Sequence, residues 1–125
     1  MIELNAKSNQ EAFDKAYYGV LLQGRASINL DGCAYRGNDG SKCGVGWLID
    51  DADYTDEIEG SGIQDLIEKA DVVLDPDLDE EFIIRLQGAH DRAWKNVGSS
   101  GGEFVPEFKR QMKILSSVHA NVTEI

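Results

Sequence analysis

Apolar residues recur at helical spacing in four stretches of the chain, and these set the expected architecture. Phe13, Ala16, Tyr17, Val20 and Leu21 form the first stripe, one face of an amphipathic helix. Ser8 followed three residues later by Glu11 is a capping box, and Gly24 is a stop, so the pattern predicts a helix over 9–23. Ile63, Leu66, Ile67 and Ala70 predict a brief second helix capped by Ser61. Leu78, Phe82, Ile83, Leu86, Ala89, Ala93, Trp94 and Val97 make the longest apolar face. With Asp77 as cap and Glu80 at the third position, it predicts a helix over 78–97. Gly98–Gly102 reads as a flexible connector. Pro106 suits the first turn of a final helix whose inner stripe is Phe108, Met112, Leu115 and Val118. So short a connector predicts that the last two helices pack as an antiparallel pair.

Between the first two helical stretches the pattern changes. Ala26-Ser27-Ile28-Asn29-Leu30 alternates and runs into Asp31-Gly32, which suits a short strand and a turn. Asn38-Asp39-Gly40 is the strongest turn signal in the chain, because these residues tolerate positive φ cheaply. A reversal there lays Cys33-Ala34-Tyr35-Arg36 beside Ser41-Lys42-Cys43, with the cysteines on opposing strands. Val45-Gly46-Trp47-Leu48-Ile49 reads either as a continuation of the second strand or as a short buried helical turn. The expected fold is α+β: a small β-hairpin or sheet around the Cys33–Cys43 turn, packed on four helices. The 125 residues fit a single domain spanning 1–125 and suffice to bury a core.

Charge changes this picture more than composition does. The net charge is −11, and residues 50–81 hold fourteen Asp or Glu against one Lys. That segment alone carries −13; the remainder, with nine acids and eleven bases, carries +2. Such a block opposes direct contact with a nucleic-acid backbone and favours a partner protein with a basic surface. Asp50, Asp51, Asp53, Asp56, Glu57 and Glu59 crowd one segment and repel one another, so they are expected to face water or a cationic partner. No apolar run approaches the roughly 20 residues that span a bilayer, so no membrane association is expected. The stretch Met1–Lys7 lacks a basic-then-apolar signal, which points to a cytoplasmic setting with both cysteines as thiols or ligands.

Chemistry-bearing residues are sparse. Cys33, Cys43, His90 and His119 are a zinc inventory by type, but nine residues separate the cysteines and the histidines lie on different helices. Asp75–Glu81 opens like a calcium loop yet lacks glycine at its sixth position and carries Leu86 at its twelfth. Arg36 and Lys42 flank a glycine-rich turn whose amides suit an anion, with Tyr35 or Trp47 placed to stack on a base. The same two cations are also placed to pair with Asp39 or the acidic segment. His90 and Asp91 adjoin on a helix, where neighbouring side chains point apart, so they are not expected to form a dyad. No nucleophile, base and orienting group can be read together, no cofactor is implied, and the expectation is a protein without catalytic activity.

The segment from Cys33 to Ile49, with its Cys-Ala-Tyr-Arg-Gly-Asn-Asp-Gly-Ser-Lys-Cys core, resembles a signature of small accessory proteins of tailed phages and prophages. There the turn often holds Pro-Asp-Gly or Pro-Asn-Gly and a proline commonly precedes the acidic loop. Here Asn38 and Asp50 stand instead, and Trp47 replaces a frequent cysteine. Glu59-Gly60 and Leu86-Gln87-Gly88-Ala89-His90-Asp91 are similar as well, so the likeness covers most of 12–118. No activity or catalytic residue comes with it. It implies a phage or mobile-element origin, and a protein that binds and inhibits a host defence or nucleic-acid-processing factor inside the host cytoplasm. Nucleic-acid mimicry, anti-CRISPR action or another counter-defence role all fit. The alternative is a small-molecule or nucleotide-sequestering protein using the Cys33–Gly46 turn. Surplus apolar helix surface leaves a homodimer open in either case.

Overall fold

The first helix begins where the capping chemistry places it. The computed structural model of the chain describes residues 2–98, 102–119 and 122. Helix α1 spans Asn9–Gln23, and Ser8 Oγ accepts the Glu11 N–H at 3.1 Å. Glu11 Oε1 reaches back to the Lys7 N–H at 2.8 Å, one residue before the expected partner. Gly24 closes the helix at φ 76°, a left-handed conformation that only glycine adopts freely, and its N–H reaches Val20 O at 2.9 Å. Helix α1 buries Ala12, Phe13, Ala16, Gly19 and Val20. Tyr17 is half-buried between Phe13, 5.7 Å away, and Phe108 of the last helix at 6.1 Å.

Among the described residues, four helices and two small sheets make an α+β fold. Strand β1 (Ile2–Glu3) pairs in parallel with β4 (Val72–Val73), in register Ile2 to Val72. Strands β2 (Ile28–Asn29) and β3 (Gly32–Cys33) are antiparallel, with Ile28 opposite Cys33. Helix α2 spans Ile63–Glu68, α3 Glu80–Val97 and α4 Phe104–Val118. Val45–Leu48 is a 3₁₀ turn, which decides the open reading of that stretch, and a second covers Asp56–Ile58. One hydrophobic cluster draws Phe13, Leu48, Phe82, Ile83, Phe104 and Phe108 together. Each such side chain contributes about 1.5–3 kcal/mol by leaving water. Between α3 and α4, Arg92 meets Gln111 at 3.1 Å, Asn96 meets Glu107 at 2.8 Å, and Phe82 meets His119 at 4.9 Å between ring centroids. No helix among the described residues is long and apolar enough to cross a membrane.

Several expected details are corrected. The hairpin across Asn38–Gly40 closes only at an isolated bridge, Arg36 to Lys42. Beyond it the arms part, because each finds other partners. Ala34 N–H bonds Ser27 O at 3.0 Å and Asn38 N–H bonds Ile28 O at 3.2 Å. On the other arm, the Gln23 side-chain amide accepts the Lys42 N–H at 2.8 Å and donates to Lys42 O at 3.0 Å. Cys33 therefore pairs with Ile28 rather than facing Cys43, and both thiols are free. Helix α2 starts after Gly62, not Ser61, and without a side-chain cap. Helix α3 is capped by Asp79, which accepts the Glu81 N–H at 3.1 Å. Asp77 lies two residues too early and instead closes a turn on Asp75 Oδ1 at 3.0 Å. Val118 is 55% exposed. At about 100° per residue it sits about 80° off the stripe of Phe108, Met112 and Leu115. His119 sits on that stripe and packs against Phe82. Of the Gly98–Gly102 connector, residues 99–101 lie outside the described residues.

Candidate functional site

Helix α3 carries three polar residues into the protein: Gln87 and His90, both buried, and Asp91 at the edge. His90 is fully buried and Asp91 one-third exposed, yet His90 Nδ1 lies 2.9 Å from Asp91 Oδ1. This corrects the expectation that the neighbours point apart. The Cα–Cβ directions do diverge, but Nδ1 sits close to its own backbone, within reach of a short carboxylate on the next residue. The Ser27 backbone N–H points at His90 Nε2 at 2.9 Å. A backbone amide can only donate, so Nε2 is the acceptor and Nδ1 carries the proton given to Asp91. Gln87 Nε2 also donates to Asp91 Oδ1 at 3.1 Å, while Gln87 Oε1 accepts from Val45 N–H at 3.0 Å and Cys43 Sγ at 3.1 Å. The glycine-rich segment is thus tied to α3 through a continuous polar network that is buried at Cys43, Val45, Gln87 and His90 and reaches the surface at Asp91.

Asp91 opens into a cleft of about 270 Å³ lined by Cys33, Tyr35, Ser61, Gln87 and Asp91. Burial first, and then the Asp91 carboxylate beside it, push the Cys33 thiol far up. Burial likewise raises Cys43 to about 12. Both sulfurs are held as thiols, the wrong protonation state for a nucleophile. Cys33, His90 and Asp91 bring ligand atoms within 4.8 Å of one another. The imidazole does not suit a metal there: one nitrogen carries a proton and the other faces an amide N–H, so neither presents a free lone pair. The zinc quartet of Cys33, Cys43, His90 and His119 is not assembled. Cys43 sits behind Gln87, and His119 lies against Phe82.

The anion cradle expected around Arg36 and Lys42 is already filled by the protein itself. Arg36 Nη1 donates to Gly46 O at 2.7 Å, and Nη2 donates to Ile49 O at 2.8 Å and Asp51 Oδ1 at 3.0 Å. Its guanidinium lies 4.9 Å over the Tyr54 ring. Lys42 Nζ is 3.4 Å from Asp51 and 4.8 Å over the Trp47 ring. Lys42 and then Arg36 hold the Asp51 carboxyl below its ordinary range. Tyr35 is buried and its hydroxyl donates to Ser61 O at 2.7 Å. Trp47 is half-buried against Gly19, with Nε1 unpartnered among the described residues. None of the four is arranged as a free phosphate or base contact.

The six acidic candidates divide. Glu59 turns inward: its Oε1 accepts the Tyr35 N–H and its Oε2 the Arg36 N–H, each at 3.0 Å, and Oε2 also takes the Tyr54 hydroxyl at 2.6 Å. Burial and that bond raise Tyr54 to about 12. Glu59 is therefore corrected from a partner contact to an internal one, since both its oxygens are already taken by two backbone amides and the Tyr54 hydroxyl in charge-assisted hydrogen bonds. Asp51 is 78% exposed but leans on Arg36 and Lys42. Asp50, Asp53, Asp56 and Glu57 are exposed. Asp50 and Asp53 line a cleft of about 480 Å³ with Glu3 and Asp75, in which Lys7 is the base. Asp53 also borders a second cleft of about 360 Å³ with Glu57, Asp71 and Lys69. Glu3 and Asp71 belong to this face through the β1–β4 pairing, a contact between distant parts of the chain that no local pattern announces. No protein-family model, no curated protein and no solved structure matches the chain.

Proposed function

We propose that this chain is a binding module for a cationic protein surface, acting through the acidic face that joins β1, β4 and residues 50–57. The observation that carries the proposal is the makeup of the larger cleft. Glu3, Asp50, Asp53 and Asp75 converge on it, and the one base that lines it among the described residues, Lys7, is only 3.9 Å from Asp75. Exposed carboxylates of one sign in a concave site focus potential, which speeds encounter with a basic partner and makes binding salt-sensitive. The resemblance to tailed-phage accessory proteins supports a narrower reading: a host defence or nucleic-acid-processing protein whose basic groove this face would block. The alternative of nucleotide sequestration at the glycine-rich turn has little support from Arg36, whose guanidinium is spent on Gly46, Ile49 and Asp51.

The test compares the protein with an Asp50→Asn, Asp53→Asn, Glu57→Gln, Asp75→Asn variant, both immobilised and offered bacterial lysate at low and high salt. Captured proteins are identified by mass spectrometry and challenged with double-stranded DNA. The expected result is capture by the native face, roughly tenfold weaker capture by the variant, and release by salt and by DNA. Equal capture by both proteins would end this reading.

A further inference from the structure

The Asp91 carboxylate is a charge without a counter-charge. Only one-third of it is exposed, and among the described residues its one neighbour of basic type within ion-pair distance is His90. The Ser27 amide fixes that ring as the neutral tautomer. Lys95, one helical turn on, is exposed and makes no ion pair with Asp91. A charge so far withdrawn from water is costly unless something pairs with it. The fold positions this one rather than neutralising it. His90 Nδ1 and Gln87 Nε2, on two buried side chains, both donate to Oδ1, at 2.9 and 3.1 Å. Oδ2 has no nitrogen or hydroxyl donor among the described residues.

The cleft that Asp91 lines suits a cation. Asp31 is its second carboxylate, no Lys or Arg lines it among the described residues, and the buried Ala34, Tyr35 and Ile63 supply apolar wall. Its volume of about 270 Å³ admits a small ligand. We propose that this cleft binds a primary alkylammonium group, with the Asp91 carboxylate as its counter-ion and the apolar wall against its alkyl stem. An ammonium fits better than a guanidinium. Two internal donors already occupy Oδ1, which blocks the two-oxygen fork that a guanidinium prefers and leaves Oδ2 for a compact charge. No residue of β1, β4 or 50–57 lines this cleft, so it is separate from the acidic face.

The experiment titrates the intact protein with n-butylammonium at neutral pH and about 0.15 M salt, which screens exposed carboxylates. The NMR signal of the Gln87 side-chain amide, which donates to Asp91, reports on the cleft. The Asn5 side-chain amide, which donates to Asp50 at 3.0 Å on the acidic face, is the control. The Gln87 signal is expected to shift saturably while the Asn5 signal stays. The neutral n-butanol should produce no such shift, and n-butylguanidinium should bind more weakly. Asp91→Asn keeps an oxygen for the His90 and Gln87 donors but removes the charge, and should weaken binding about tenfold or more. N-acetyl-lysine N-methylamide carries the same ammonium with backbone on both sides. Equal binding assigns the site to a lysine side chain of a partner, and exclusion assigns it to a free amine. Unchanged affinity in Asp91→Asn, n-butanol acting like n-butylammonium, tighter binding of the guanidinium, or Asn5 shifting with the same midpoint would each overturn the ammonium site.

Discussion

The backbone N–H of Ser27 donates to Nε2 of His90 at 2.9 Å, joining residues 63 positions apart in the chain. His90 is fully buried, so this bond settles which ring nitrogen bears the proton and sends the other N–H to Asp91. The ring is a structural bridge between the segment before β2 and helix α3. Replacing it with an apolar ring of similar shape strands the Ser27 amide and removes a donor from Asp91. His90→Phe is expected to cost about 2–4 kcal/mol. His90→Gln, whose amide holds both an acceptor and a donor, should lose less. Urea unfolding checks this: the midpoint should fall with the slope unchanged.

Gly46 offers a steric test of the turn that stands where a strand was one of two expected readings. A Cβ there would stand 2.5 Å from Tyr35 O and 3.3 Å from both Arg36 Nη1 and Cys43 Sγ. The carbonyl is backbone and cannot swing aside as a side chain would. Gly46→Ala should cost about 1–3 kcal/mol through overpacking. Gly40→Ala meets open space but a φ of 83°, so conformational strain alone should cost about 1 kcal/mol. Thermal unfolding of the two variants should rank them in that order.

The periodic parts of this fold were readable, and the parts set by single long-range bonds were not. Phe13, Phe82 and Phe108 advertised three helices because apolar spacing is a repeated local signal. Strands β1 and β4 hold two residues each, too few to show a period. The Cys33–Cys43 hairpin parts early because one side chain, Gln23, satisfies both backbone groups of Lys42. The acid count of 50–81 was correct, but composition cannot say which way a carboxylate turns. Glu59 faces amides 23 and 24 residues away, and Glu3 joins the acidic cleft from the other end of the chain.

Asp39 gives a pH dependence with a definite sign. Its Oδ1 accepts the Ser41 hydroxyl at 2.6 Å and the Ser41 N–H at 3.1 Å, and its Oδ2 takes Arg25 Nε at 2.6 Å. Ser41 first, then Arg25, lower its pKa from 3.8 to about 2. A carboxyl that is more acidic when folded stabilises the fold above its unfolded pKa, and that contribution drains away as pH falls through the folded value. The Asp39 contribution should thus be complete above about pH 5 and gone near pH 1. A carboxyl titration followed by NMR should place its midpoint near 2. Ser41→Ala should raise that midpoint more than Arg25→Ala does, and the reverse order would show that the ion pair, not the hydroxyl, holds the turn.

Gln87 and His90 both donate to the same oxygen, Asp91 Oδ1. Removing either leaves the carboxylate partly solvated by the other; removing both leaves it reliant on Cys33 and the water of the cleft. Groups sharing an acceptor in a low-dielectric site do not act independently. The double variant Gln87→Leu, His90→Phe should therefore depart from the sum of the singles by about 0.5–3 kcal/mol. The expected sign follows from the acceptor. The second loss strands a charge that the first loss only weakened, so the double variant should be less stable than additivity predicts. Adding Asp91→Asn, which takes away the charge itself, should collapse the coupling toward zero. A double-mutant cycle in urea, run once with Asp91 intact and once in the Asp91→Asn background, measures this. Strict additivity with Asp91 intact would mean that the buried network is a set of separate bonds rather than one unit.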